Sequence, residues 1–167
     1  MSDLSNWYQT WQNRRDKALQ STKKQLRQLR NHRGTHLHRL AAKPHERVIA
    51  PVDCLQCAGC CKGIPPLINA TDARRIAKKL GLSNAEFQNQ YLTTDEDGDT
   101  VLQLTPCPFL LDNNHCSIYD FRPKACREYP HTDQQFSKNL PYHVKNTAYC
   151  PASFWILEEL KHRISAL

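Results

Sequence analysis

Four thiols fall within eight residues, Cys54-Leu55-Gln56-Cys57-Ala58-Gly59-Cys60-Cys61, of a 167-residue chain that holds eight cysteines. Two-residue gaps let successive sulfurs converge on one point inside a turn, as thiolate sites for zinc and iron–sulfur clusters require. Gly59 has no Cβ, so the backbone there is expected to fold tightly and approach an ion or cluster. Cys107, Cys116, Cys126 and Cys150 lie downstream, each beside a turn former or a polar residue. All eight cysteines are therefore candidate ligands of an inorganic centre.

Two kinds of centre suit them. Cys54-x2-Cys57-x2-Cys60 has the spacing that presents three thiolates to a [4Fe–4S] cluster, whose fourth ligand is a more distant Cys followed by Pro. Cys107-Pro108 and Cys150-Pro151 both meet that description. Zinc uses similar Cys-x2-Cys knuckles, and eight thiolates would complete two all-cysteine tetrahedra. Adjacent Cys60 and Cys61 rarely bind one ion with good geometry, so Cys61 is expected to serve a second centre, a redox role or neither. On spacing alone the reading leans to the cluster, with zinc as the alternative.

The compartment bears on this choice. Eight cysteines in a reducing cytosol argue for metal ligation, whereas an oxidising space would favour disulfides. The N-terminus lacks an apolar core and a small-residue cleavage site, and no stretch approaches the roughly 20 apolar residues that span a bilayer. A cytoplasmic protein with no membrane span is expected. The net charge of +7 is uneven: Met1–Arg47 carries eleven Lys/Arg against three acidic residues, hence +8, and the remainder twelve against thirteen, hence −1. The division predicts a basic helix and linker over 1–47, and a nearly neutral cysteine-cluster metal-binding domain over 48–167.

The elements that must position the thiols follow from periodicity and punctuation. Residues 3–31 read as one long amphipathic helix, with Leu4, Trp7, Trp11, Ala18, Leu19, Leu26 and Leu29 on its apolar side. Its other positions carry Arg14, Arg15, Lys17, Lys23, Lys24, Arg27 and Arg30. Such a face either stays solvated or meets phosphate or an acidic partner. Residues 32–51, with four histidines and Pro44, read as a polar connector with exposed histidines. Asn69 or Thr71 should cap a helix over 72–80 that stops at Gly81, and Ser83-x2-Glu86 is a capping box opening a helix to about Leu92. The acidic run 94–99 reads as a hairpin or surface loop. Thr100–Thr105 and His115–Tyr119 read as short strands, Pro123 as the start of a helix carrying Cys126, and Pro151 as the start of the last helix. The expected fold is α+β: a small cysteine-rich, metal-centred domain of short helices and a β-hairpin, preceded by a long basic helix.

Cys54-x2-Cys57-x2-Cys60-Cys61, then Cys107-Pro108-Phe109-Leu110 and Cys116-x-Ile118-Tyr119-x2-Arg122-Pro123-x2-Cys126-Arg127-x-Tyr129-Pro130, resemble the CxxCxxCC cysteine-cluster family (YkgJ-like). The resemblance spans about 54–130, with Cys150 included, and leaves the basic helix outside. It implies zinc or iron–sulfur binding at the cysteines. Related sequence occurs within flagellin lysine N-methylases, which are much longer, so methyl transfer is not carried over. Arg122 and Arg127 have two readings: pairing with carboxylates such as Asp120 and capping carbonyls, or neutralising an anionic thiolate centre. Tyr119 and Tyr129 are expected to pack around the site. The function expected first is a metal- or cluster-binding protein in a redox, maturation or accessory role. The rivals are a zinc-stabilised module binding nucleic acid or an acidic partner through 1–47, and a cluster-dependent protein-modifying enzyme.

Overall fold

Apolar residues at three- and four-residue spacing, Leu37, Leu40, Ala41 and Pro44, run through the histidine- and arginine-rich stretch after Arg33. That stripe folds Gly34–Ile49 into a helix, α2, where the sequence suggested a polar connector. Leu37 and Ala41 are buried, and Pro44 lies inside the helix, fully enclosed. An interior proline costs a helix about 3 kcal/mol, so burial of this face has to outweigh the missing hydrogen bond. His45 is not an exposed loop residue either: its Nδ1 lies 2.8 Å from the Thr132 hydroxyl.

The computed structural model describes residues 6–29, 34–49, 52–133 and 136–165. Contacts divide the chain into two compact units, Met1–Asp53 with Pro130–Leu167, and Cys54–Tyr129. The first is helical: α1 (Trp7–Leu29), α2, α8 (Leu140–Asn146) and α9 (Pro151–Ser165). Its core is Leu37, Ala41, Phe136, Leu140, Val144, Leu157 and Leu160. Trp7 and Trp11 are buried, and the Trp11 indole N–H donates to the Thr147 carbonyl at 2.8 Å, so both anchor α1 to its own unit. Three of the arginines of 1–47 are engaged within the unit while staying partly exposed. Arg14 pairs with Glu158 at 2.9 Å, Arg47 with Glu159 at 2.6 Å, and Arg15 donates to the Ala148 carbonyl. The ends of the expected 3–31 helix, 3–5 and 30–31, lie outside the described residues.

The second unit contains α3 (Cys54–Cys57), α4 (Gly59–Gly63), α5 (Ala70–Leu80), α6 (Asn84–Tyr91), β1 (Leu92–Thr94), β2 (Thr100–Leu102), a 3-10 turn (Tyr119–Phe121) and α7 (Lys124–Arg127). The punctuation of the sequence operates as expected. The Asn69 side chain accepts from Asp72 N–H, Gly81 ends α5 at φ 72°, and Ser83 and Glu86 close a capping box. The fold is α+β, mostly helical, with a two-stranded antiparallel hairpin. The pairing, however, differs from expectation. β2 pairs with β1 across the acidic turn, Thr93 opposite Val101, and within 115–119 there is a single bridge, Leu110 to Cys116. Pro106 and Pro108 cannot donate to a ladder, so the strand stops short of them. Ile68, Ala73, Ile76, Ala77, Phe87, Leu102, Phe109 and Ile118 form this unit's core, with Cys107 and Cys116 packed against it. Among the described residues no helix is long and apolar enough to cross a membrane.

Candidate metal centre

The Cys-x2-Cys step is a single helical turn, α3, and a second short helix carries Cys60 and Cys61. The junction between them is Ala58, at φ 46° and ψ 22° in the left-handed region, and not Gly59, which opens α4. An alanine held there carries backbone strain of about 1 kcal/mol or more. The turn is held by Ala58 N–H to the Cys54 carbonyl at 2.8 Å and by Lys62 Nζ to the Cys57 carbonyl at 3.2 Å. It also brings Gly59 N–H to 3.2 Å from Cys57 Sγ. Cys54 is exposed and Cys57 buried.

Within the cysteine unit, Cys107 and Cys116 are tied in by backbone pairing and Cys126 by the turn and helix that follow. Cys107 N–H donates to the Cys61 carbonyl at 2.8 Å, which fastens the 107–116 loop to α4. The Leu110–Cys116 bridge, with Ser117 N–H to the Phe109 carbonyl at 2.9 Å, folds that loop back on itself. The 3-10 turn then leads through Arg122 and Pro123 into α7, which carries Cys126. All eight cysteines are free of disulfide bonds.

Electrostatics group Cys61, Cys107, Cys116 and Cys126. A hydrogen bond with Cys60 brings the Cys61 thiol down to about 7, helped by Arg122 and Lys62 and opposed by burial. Burial pushes Cys107 up to about 11 and Cys126 up to about 12, and raises Cys116 as well. The charge of Cys61 adds to the rise in all three, and Cys126 also feels Cys107 and Cys116. Arg122 opposes the rise in Cys116 and Cys126. Cys57 is raised chiefly by burial, against the Gly59 N–H, with smaller rises from the charges of Cys54 and Cys61. In three cases a backbone N–H two residues on is directed at the sulfur: Gly59 at Cys57, Phe109 at Cys107 and Ile118 at Cys116. An N–H aimed at sulfur favours its anionic form, the form in which a thiol ligates a metal.

Arg122 holds its guanidinium 3.4 Å over the Tyr119 ring, and its Nε donates to the Tyr119 carbonyl at 2.9 Å. Arg127 donates to the Arg122 carbonyl and lies 3.9 Å from Asp72, the buried carboxylate that pairs with it. Tyr119 is half exposed and Tyr129 half buried. Cys150 belongs to the helical unit, where Ser153 N–H lies 3.4 Å from its sulfur. Asp72 and Arg75 gave no sign in the motif, from which they are separated along the chain.

Four thiols in mutual electrostatic contact, with amides directed at two of them and a guanidinium nearby, are a donor set suited to a thiophilic metal ion or cluster. Among the described residues no group of three or more His, Cys, Asp or Glu side chains is already positioned to hold an ion. Ligation would need the thiols to lose their protons and rotate inward. A family model described as a "Putative zinc- or iron-chelating domain" matches residues 53–151, more than half of the chain and all eight cysteines. No curated protein and no solved structure matches the chain. The chain belongs to the CxxCxxCC family.

Proposed function

We propose that the protein carries a thiolate metal centre on Cys61, Cys107, Cys116 and Cys126, confined to the cysteine unit, in a redox, maturation or accessory role. The observation that carries this reading is that three half-buried thiols feel the charge of Cys61, with Arg122 as counter-charge. Four thiolates around Zn²⁺ leave a formal −2, which a guanidinium would offset. Cys54, Cys57 and Cys60 would stand at its edge, with Cys60 steadying Cys61 by hydrogen bonding. Iron–sulfur is the reading taken, as a [4Fe–4S] cluster, because Cys107-Pro108 in this set is the Cys-Pro ligand such clusters take, and amides directed at sulfur would tune its potential. Such a group supplies electron transfer or redox sensing when bound; zinc on the same residues would be structural. Arg122 would neutralise the centre, while Arg127 would brace Arg122, and Tyr119 would shield it by stacking.

Residues 1–47 would contribute a docking surface for an acidic partner in the cytoplasm. With Arg14, Arg15 and Arg47 engaged internally, this role rests on the exposed Lys17, Lys23, Lys24, Arg39 and Lys43.

Anaerobic purification with metal and acid-labile sulfide analysis tests the reading. About four irons and four sulfides per chain are expected for a [4Fe–4S] centre, lost in Cys61→Ser and Cys126→Ser and retained in Cys54→Ser. Zinc without sulfide would make the centre structural, and a chain that takes up neither metal would sink the proposal.

A further inference from the structure

Asp72 is 3 % exposed, on the face of α5 that packs into the core, and its carboxylate serves a segment 52 residues away. One oxygen accepts from the backbone N–H of Lys124, the first residue of α7, at 2.9 Å. The other accepts from Arg75 Nη2 at 2.8 Å. The same Arg75 nitrogen donates to the Arg122 carbonyl at 2.7 Å, and Arg127 also donates to that carbonyl. A single buried carboxylate and its arginine therefore grip the segment 122–126 at Arg122 and at Lys124, two residues before Cys126. That segment bears the half-buried thiol of Cys126 at one end and the guanidinium of Arg122 at the other.

α7 has only four residues and its N-cap, Pro123, makes no side-chain cap bond. A helix so short does not hold itself together. What keeps Cys126 in place must come from outside the segment, and α5 is rigid enough to supply it. Asn69 caps α5 at the Asp72 N–H, and Ala73, Ile76 and Ala77 seat the helix in the core.

We infer that Asp72, acting with Arg75, is a positioning residue that holds Cys126 and Arg122 toward the thiol centre. The inference rests on the thiolate-centre reading for its metal consequence, while its positional consequence can be read in the metal-free protein. Outer partners of metal ligands are worth about ten- to a hundredfold in affinity, and losing a hydrogen bond to a buried charge loosens a segment by about tenfold.

Two measurements test it. In reduced, metal-free protein, alkylation by iodoacetamide is mapped by mass spectrometry. Asp72→Asn should raise the rate at Cys126 about tenfold and leave Cys54 unchanged. Arg75→Gln, whose side chain is partly exposed, should do the same to a smaller extent and stands in if Asp72→Asn fails to fold. The second measurement is titration with Co²⁺ alone, followed by thiolate-to-cobalt absorption. Asp72→Asn should weaken binding about ten- to a hundredfold, whereas Ser83→Ala, which removes the α6 cap in the same unit without touching 122–126, should leave it unchanged. Unchanged Cys126 alkylation in both Asp72→Asn and Arg75→Gln would overturn the inference. Equal weakening by Ser83→Ala would do so too, since it would mean that Asp72 merely stabilises the fold. If the native chain takes up no Co²⁺, the metal-centre reading fails by itself and alkylation still decides the role of Asp72.

Discussion

The helical unit and the cysteine unit enclose cores of similar size with different means. In the helical unit, helices of 23, 16 and 15 residues bring together leucines, Phe136 and Val144, and arginine–glutamate pairs link α9 to α1 and α2. In the cysteine unit, the segments bearing most of the thiols are helices of four and five residues, and two of the thiols are packed against the core itself. Long amphipathic helices gain stability from the face they bury, whereas helices this short need an external tether. The first unit is thus complete as a hydrocarbon structure. The second leaves a set of half-buried thiols whose protons a bound cation would replace, and the short segments that carry them should depend on that cation.

The largest expected effect separates the units by this dependence. A bound thiolate centre ties together the short segments that supply its ligands. Stripping metal from the purified protein with a chelator should therefore lower amide-exchange protection most in α3, α4 and α7, leave the α5–α6 core of the same unit folded, and spare the core helices of the other unit. Equal loss in both units, or none in either, would break the comparison.

Core truncation comes next. Phe87 and Phe136 are each fully buried, one in either core. Replacing either by Ala should destabilise its own unit by about 3–5 kcal/mol, measured by denaturant unfolding with region-resolved exchange. Phe87→Ala should also weaken metal binding, because the Tyr91 and Phe109 rings stacked beyond it lead to Cys107. Phe136→Ala should leave metal affinity alone. A loss of affinity in Phe136→Ala would contradict the assignment of the centre to the cysteine unit.

Acid should act on the helical unit through His143. Its ring is fully buried and stacked on Phe136 at 4.4 Å, and burial holds it down at about 4 from an ordinary 6.5, against a pull from the Phe136 backbone. Between those values the unfolded chain binds a proton that the folded chain refuses, so stability rises with pH across that window. The drop on acidifying from pH 7 to pH 4 should be about 3 kcal/mol, followed as the unfolding free energy of the helical unit. His143→Phe should flatten the profile. An unchanged profile in that variant would transfer the acid sensitivity to other groups.

Which parts of this were legible in the sequence follows from how local each signal is. The Asn69 and Ser83 caps, the Gly81 stop and the helix starts at Pro123 and Pro151 all depend on residues within one turn of each other, and each was readable. α2 was not, because Leu37, Leu40 and Ala41 were masked by histidines and by a proline whose cost only tertiary packing can offset. The hairpin was readable as a hairpin but not in its pairing, since β-propensity leaves the partner strand open. At the site, residue types marked every cysteine as a candidate. The grouping of Cys61 with three distant thiols depends on long-range backbone pairing. Asp72 and Arg75 act across about fifty residues, a separation over which no spacing rule operates.

The smallest effect contrasts how helices begin in the two units. α6 starts at Ser83, whose hydroxyl accepts from Glu86 N–H at 3.2 Å, while the Glu86 carboxylate accepts from Ser83 N–H at 2.8 Å. The hydrogen bonds from Ser83 hold the Glu86 carboxyl below its usual range. Their contribution is therefore present above the ordinary carboxyl pKa and fades as pH falls through the depressed one. α8 starts at Asn139, a residue type equally suited to capping, whose side chain makes no cap bond. Ser83→Ala should accordingly cost about 1 kcal/mol, seen as faster amide exchange in α6. Asn139→Ala should cost no more than a few tenths. Equal losses at the two positions would mean that residue type, and not the bond made, sets the stability of these starts.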